Sequence, residues 1–86
     1  MNYIVLWLRA AEQTLAEIWT NATDRNAVTA AADAADAWLR RDPFSFGESR
    51  SGSVRLGFLP PLAFLFRIDE ATRTVYVMKV ARSRSR

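Results

Sequence analysis

Apolar residues follow three patterns along this chain, and each pattern predicts a different kind of element. Residues 3–8 are apolar at every position and rich in β-branched and aromatic side chains, which is typical of a strand covered on both faces. From Ala10 onward the apolar positions recur every three or four residues, which is the period of one helix face. From residue 53 onward apolar and polar positions alternate, as in a strand with two unlike faces.

The helical period predicts two helices in succession. The first extends from about residue 10 to residue 20 or 21, and Thr23 or Asp24 is placed to cap the second. The second helix ends at Asp42-Pro43, because the residue before a proline is held out of the α region. The short junction predicts an antiparallel helix hairpin. The two apolar stripes are Ala11, Leu15, Ile18, Trp19 and Ala22 in the first helix, and Val28, Ala31, Ala32, Ala35, Trp38 and Leu39 in the second.

Three strands are predicted after a loop over residues 43–52. They cover residues 53–59, 62–69 and 74–81, with a bend at Pro60-Pro61 and a turn over residues 69–73. The apolar positions of the first two are Val54, Leu56 and Phe58, then Leu62, Phe64, Phe66 and Ile68. In the third, Thr74, Tyr76, Met78 and Val80 are expected on one side, with Val75, Val77 and Lys79 on the other.

These elements predict an α+β fold in two layers, with a helix hairpin over one face of a sheet and the order β-α-α-β-β-β. The strand over residues 53–59 is expected to pair antiparallel with the first strand, and the last three strands to form an antiparallel meander. A single domain is expected over residues 1–81, followed by a basic tail over residues 82–86. Arg55 and Arg67 fall on the less apolar sides of their strands and are therefore expected to share the uncovered face.

Composition excludes several classes of site. The 86 residues include no cysteine and no histidine, so thiolate metal sites, zinc enzymes and Ser-His hydrolases are excluded, and no metal or cofactor is expected. The longest apolar run is broken by glycine and prolines and is far shorter than the roughly 18 residues of a membrane span. We therefore expect a cytoplasmic protein with no membrane partner.

Charge is distributed unevenly between the two halves of the chain. Residues 1–39 contain two basic and five acidic residues, a net charge of −3, whereas residues 40–86 contain ten and four, a net charge of +6. This asymmetry suggests a polyanionic partner for the predicted sheet, although basic tails also occur on proteins that bind no nucleic acid.

The order and spacing of these elements resemble the RelE/ParE superfamily of type II toxins, which includes proteins of plasmid stabilisation systems. The likeness covers nearly the whole chain. It is carried by the opening Tyr-Ile-Val-Leu-Trp of residues 3–7, the stripe of the first helix, Leu-Arg-Arg-Asp-Pro at residues 39–43, Gly-Glu-Ser-Arg at residues 47–50, Arg55, and the two last strands. The resemblance implies a toxin held inactive by a cognate antitoxin whose disordered segment folds onto it. RelE-like members cleave mRNA on the ribosome without a metal, whereas ParE-like members poison DNA gyrase.

Under the RelE-like interpretation, three residues match catalytic positions. Glu48 matches a position where some ribosome-dependent members have a general base, Arg55 a position near the substrate phosphate, and Arg82 a position where the family commonly has a catalytic or phosphate-binding arginine. Arginine suits this chemistry because its planar fork meets phosphate oxygens and keeps its charge. The further nucleic-acid-binding candidates are Arg50, Arg67, Lys79 and Arg84.

Two other interpretations remain open. The third strand begins Pro-Leu-Ala where the family's RNases usually carry an arginine, and the closing aromatic or histidine after Val80 is absent. These departures favour a non-catalytic protein, either a ParE-like gyrase-directed toxin or a degenerate member that only binds an antitoxin. A nucleic-acid-binding domain without toxicity is the third interpretation. The loop aromatics Phe44 and Phe46 can cover the core edge, contact a partner or stack on a base, whereas the three tryptophans are expected in the core.

Overall fold

A computed structural model describes residues 2–83 as two helices and a five-stranded sheet. In chain order the elements are β1 (Ile4–Trp7), α1 (Arg9–Asn21), α2 (Arg25–Arg41), a 3₁₀ turn (Pro43–Ser45), β2 (Glu48–Ser51), β3 (Val54–Leu59), β4 (Leu62–Asp69) and β5 (Thr74–Arg82). The predicted α+β fold with a helix hairpin over one sheet face is confirmed.

The sheet has the strand order β1-β5-β4-β3-β2, and only the β1–β5 pair is parallel. The prediction that the strand over residues 53–59 pairs antiparallel with β1 is therefore wrong. The reason is β2, a strand in the segment predicted as a loop. It adds one reversal of direction, so the last strand returns beside β1 and runs parallel to it. Glu-Ser-Arg-Ser has no apolar alternation and is exposed throughout, so the pattern contained no signal for this strand.

The helices form as the apolar stripes predict. The Asp24 side chain accepts a hydrogen bond from the Ala27 backbone N–H at 3.0 Å, which caps α2. The Arg25 side chain donates to the Trp19 and Thr20 carbonyls at 3.1 and 2.8 Å and so closes the end of α1. The buried helix residues are Ala11 and Ile18 in α1, and Val28, Ala31, Ala32, Ala35 and Leu39 in α2.

The face that β3 turns toward the helices differs from the prediction. Antiparallel partners share a face, and Gly57 pairs with the buried Phe64, so Gly57 and Arg55 lie on the helix side. The apolar residues Val54, Leu56 and Phe58 therefore lie on the opposite face. The ring of Phe46 explains the inversion, because it fills the core on the helix side above Gly57 and is only 1% exposed.

The faces of β4 and β5 are set by their alternation and by one bulge. Leu62, Phe64, Phe66 and Ile68 are buried as predicted. The register of β5 shifts at Met78, between the pairs made by Val77 and Lys79, so that Val75, Val77 and Val80 are buried together. The predicted grouping of Val80 with Tyr76 is therefore wrong. Within residues 2–83, no helix has the length and hydrophobicity to cross a membrane.

Candidate binding surfaces

The sheet face opposite the helices carries no packed element among residues 2–83, and we call it the open face. Strand register arranges it in rows that cross the sheet. One row runs from Glu48 through Leu56 and Leu65 to Lys79, and the next runs from Val54 through Arg67 and Tyr76 to Leu6. The open face comprises Ile4, Leu6, Glu48, Ser51, Val54, Leu56, Phe58, Ala63, Leu65, Arg67, Asp69, Thr74, Tyr76, Lys79 and Ala81. Most of these side chains are apolar. They include Val54, Leu56 and Phe58 of β3, which the sequence pattern had placed against the helices.

Large apolar side chains on this face are exposed to solvent. Phe58 is 55% exposed, Ile4 56% and Leu6 47%. The Arg67 guanidinium lies over the Tyr76 ring, with 4.5 Å from Cζ to the ring centroid, so that the cation covers the ring. An apolar patch with fixed cations is a feature of protein-binding surfaces.

Glu48 and Lys79 lie in the same row but three strands apart, which corresponds to about 14 Å at the usual strand spacing. General acid–base catalysis requires each group within about 3 Å of its proton, or one water away. The structure therefore does not bring these two groups to one scissile bond. Two leucines separate them, Leu56 and Leu65.

Arg55 lies on the helix side of the sheet, so the prediction that it shares the uncovered face with Arg67 is wrong. One terminal nitrogen, Nη2, donates to the carbonyl oxygens of Phe44 and Gly47, both at 2.9 Å. Its Nε is buried and has no hydrogen-bond partner among residues 2–83. Arg55 thus ties β3 to the loop before β2 through the two hydrogen bonds of Nη2.

The remaining candidates are dispersed. Arg82 ends β5 opposite Leu62, on the helix side, and lines a cavity of about 220 Å³ with Asp24, Pro60 and Pro61. Arg50 lies at the β2 bulge and is exposed. The tail predicted over residues 82–86 begins within β5, and Arg84 lies outside the described residues.

A second surface lies between the two helices, and we call it the helix groove. It encloses about 950 Å³. Its lining residues are Trp7, Glu12, Leu15, Ala16, Trp19, Thr20, Val28, Thr29, Ala32, Asp33 and Asp36. Two tryptophans mark its length: Trp19 Nε1 donates to Thr29 Oγ1 at 3.2 Å, and Trp7 Nε1 donates to Asp36 Oδ1 at 3.1 Å.

The helix groove is apolar with an acidic rim. Of its carboxylates, Asp36 forms an ion pair with Arg40 at 2.8 Å, and among residues 2–83 Glu12 and Asp33 form none. A partner with apolar and basic residues complements this surface. Trp19 is 43% exposed in the groove, so its place on an apolar stripe did not mean burial in the core.

A polar cluster joins the start of β1 to the β4–β5 turn. Tyr3 is 8% exposed, and its hydroxyl donates to Glu70 Oε1 at 2.7 Å. The Arg73 guanidinium lies 4.6 Å from the Tyr3 ring centroid and 3.6 Å from Glu70 Oε2. The hydrogen bond to Glu70 raises the pKa of the Tyr3 hydroxyl above 10.0, with burial and the charge of Glu70 acting in the same direction. This cluster fastens the edge strand.

Sequence reasoning missed both surfaces for identifiable reasons. The apolar alternation of β3 was present, but the face it belonged to depended on Phe46, a loop aromatic for which the sequence left core cover, partner contact and base stacking open. The carboxylates of the groove gave no signal in the sequence, because acidic residues are common on the exposed sides of helices.

Among residues 2–83, no group of three or more acidic side chains is arranged to hold a metal ion.

Comparisons with known proteins give fold neighbours only. No protein-family model and no curated protein sequence matches the chain. A chain of the RelBE2 toxin–antitoxin complex from Mycobacterium tuberculosis has a similar structure, with a TM-score of 0.77 and 21% sequence identity over 95% of this chain and 99% of that one. A chain of the chromosomal ParDE TA system from P. aeruginosa has a TM-score of 0.73 and 16% identity over 95% and 97%. The chain therefore has the RelE/ParE fold.

Proposed function

We propose that this protein is the toxin component of a type II toxin–antitoxin system. The observation that carries the proposal is the fold, which matches chains of the RelBE2 and ParDE systems over 95% of this chain at TM-scores of 0.77 and 0.73. Both neighbours come from toxin–antitoxin systems, and an antitoxin is accordingly the first partner proposed here.

The helix groove is the proposed antitoxin site. Its volume of about 950 Å³ and its apolar walls suit the apolar face of a helix, and Glu12 and Asp33, which form no ion pair among residues 2–83, suit basic residues beside that face. A disordered antitoxin segment that folds as it binds would cover this surface.

For the activity of the free toxin, the geometry favours the non-catalytic, protein-directed alternative over mRNA cleavage. Glu48 lies on the open face at the β2 edge, whereas Arg55 and Arg82 lie on the helix side of β3 and at the end of β5. This separation favours a protein-directed activity, because joint action on one phosphodiester requires the three groups to converge on it. DNA gyrase is the protein target that the family resemblance suggests, and location in the cytoplasm remains part of this proposal.

Expression of the protein in cells without its antitoxin tests both parts. We expect growth to stop without new 5′ ends in ribosome-associated mRNA, and Glu48→Gln to remain as toxic as the wild type. New mRNA ends that disappear in Glu48→Gln would instead establish the nuclease. A supercoiling assay with purified DNA gyrase then distinguishes gyrase from another protein target.

A further inference from the structure

The open face combines exposed apolar side chains with centrally placed cations. The rows place Leu65 between Leu56 and Lys79, and Val54 beside Arg67. Arg67 and Lys79 lie on the adjacent strands β4 and β5, on either side of the β5 bulge, since Arg67 pairs with Tyr76 and Lys79 pairs with Leu65. At the margins, Phe58 is exposed at one end and Ile4 and Leu6 at the β1 edge.

This combination fits a protein better than a nucleic acid. Single-stranded RNA is held by a cationic groove with stacking aromatics. Here the Tyr76 ring is covered by Arg67, and the rows between the cations are aliphatic. An aliphatic surface gains free energy from burial against other apolar side chains, at roughly 25 cal/mol per Å² removed from water, and gains nothing comparable from phosphates.

The dimensions of the sheet indicate the shape of the occupant. Five strands span roughly 19 Å between the outer two, and an α-helix with its side chains is about 10–12 Å wide. One helix laid across β3, β4 and β5 along the row of Leu56 and Leu65 would cover these leucines, with Lys79 at the end of that row and Arg67 in the next row, so that both cations border the helix flanks. Carboxylates on those flanks would pair with the two cations.

We propose that the open face docks a protein that presents an aliphatic helix face flanked by carboxylates, and that this protein is the growth target of the toxin. The assignment rests on the proposed function. The target is distinguished from the antitoxin by the charge at the centre of each surface. The helix groove has an acidic rim and selects a basic segment, whereas Arg67 and Lys79 lie among the leucines of the open face. The two carboxylates of the open face, Glu48 and Asp69, lie at the β2 edge and at the end of β4. The two surfaces therefore take different partners.

Two synthetic helical peptides of about 18 residues test the chemistry of the face. Both carry leucines along one side, and the flanking positions are glutamate in one and lysine in the other. On ¹⁵N-labelled protein at about 0.15 M salt, we expect the glutamate peptide to shift amides of β3, β4 and β5 and to bind this face at least about tenfold more tightly than the lysine peptide. Phe58→Glu should abolish that binding, and Ala34→Glu, an exposed charge-matched change on α2, should not.

Several results would overturn the proposal. These are equal binding of both peptides to the face, glutamate-peptide shifts confined to α1 and α2, or self-association of the protein through the open face in sedimentation. Tighter binding of a single-stranded RNA of about 20 nucleotides to the same amides would assign the face to nucleic acid.

Growth separates this inference from the proposed function. If the wild type stops growth and Phe58→Glu does not, while folding as judged by circular dichroism and still binding the antitoxin, the inference is supported. If Phe58→Glu and Leu6→Glu both stop growth like the wild type, the inference fails and the toxin assignment stands. If the wild type itself permits growth, the toxin assignment fails and with it the identity of the target, and the peptide result alone decides whether the face docks such a helix.

Discussion

The ring of Phe46 packs directly against the Gly57 backbone in the core. This contact decides which face of β3 is turned toward solvent. Phe46 stacks on Phe66, with ring centroids 5.6 Å apart, and its ring centroid lies 4.8 Å from that of Trp38. A Cβ added at Gly57 would lie 2.7 Å from the Phe46 ring. Any larger residue at this position therefore displaces the ring.

Gly57→Ala should lower the free energy of unfolding by about 1–3 kcal/mol, because the added methyl group overpacks the core. Phe46→Leu alone also destabilises, since it leaves space beside Phe66. The double variant should lose less free energy of unfolding than the two single variants lose together, because the smaller side chain at position 46 leaves room for the methyl group. Urea denaturation of all four proteins measures this coupling, and strict additivity would contradict the contact.

Tyr3 should make stability depend on pH in alkaline solution. Its pKa is raised in the folded protein above 10.0, so its contribution to stability is fully present below pH 10 and is lost as pH rises through the folded pKa. Wild type should therefore lose more stability than Tyr3→Phe between pH 9 and about pH 11.5. Parallel pH profiles for the two proteins would show that the hydroxyl does not depend on Glu70.

At the scale of elements, Arg55 has a structural role that competes with the predicted catalytic one. Its two hydrogen bonds hold the Phe44 and Gly47 carbonyls, and Gly47 has a positive φ of 79° in the same loop. A Cβ at Gly47 would lie 2.2 Å from the Leu56 carbonyl oxygen, so this loop is closely packed on β3.

Arg55→Ala should cost about 1–3 kcal/mol of stability, because two carbonyl acceptors lose a charged donor. Amide hydrogen exchange should rise over residues 44–50. Arg67→Ala is the matched control: its guanidinium stacks on an exposed ring, so the loss should be about 0.5–1 kcal/mol. If Arg55→Ala leaves stability and exchange unchanged but weakens RNA binding, the residue serves the substrate instead.

Elements with a regular apolar period could be predicted from sequence, and elements defined by their neighbours could not. Both helices and β4 follow from side chains that repeat on one face, and Asp24, one of the two candidate caps, caps α2. β2 shows no apolar alternation, because all four of its residues are exposed to solvent. Without β2, the sequence predicted an antiparallel partner for β1, whereas β1 pairs parallel with β5. The placement of Arg55 failed because the burial of Phe46 depends on contacts distant in sequence.

At the scale of the whole molecule, charge and shape divide the protein into two surfaces on opposite sides. The helices form an acidic-rimmed groove, and the sheet presents an aliphatic face that carries Arg67 and Lys79. The charge asymmetry of the sequence anticipated this division, since residues 1–39 build the helices and residues 40–86 supply most of the sheet. In place of a polyanionic partner, we propose a partner with basic residues for the helix groove and a partner with carboxylates for the open face.

Colony formation is the measurement that tests this division most directly. The protein is expressed alone or together with the antitoxin candidate from the neighbouring reading frame, as wild type and as Ala16→Arg, which places a cation and bulk in the helix groove. Wild type should stop growth alone and be rescued by the partner, whereas Ala16→Arg should stop growth in both cases. Normal growth with the wild type alone, or full rescue of Ala16→Arg, would contradict the account.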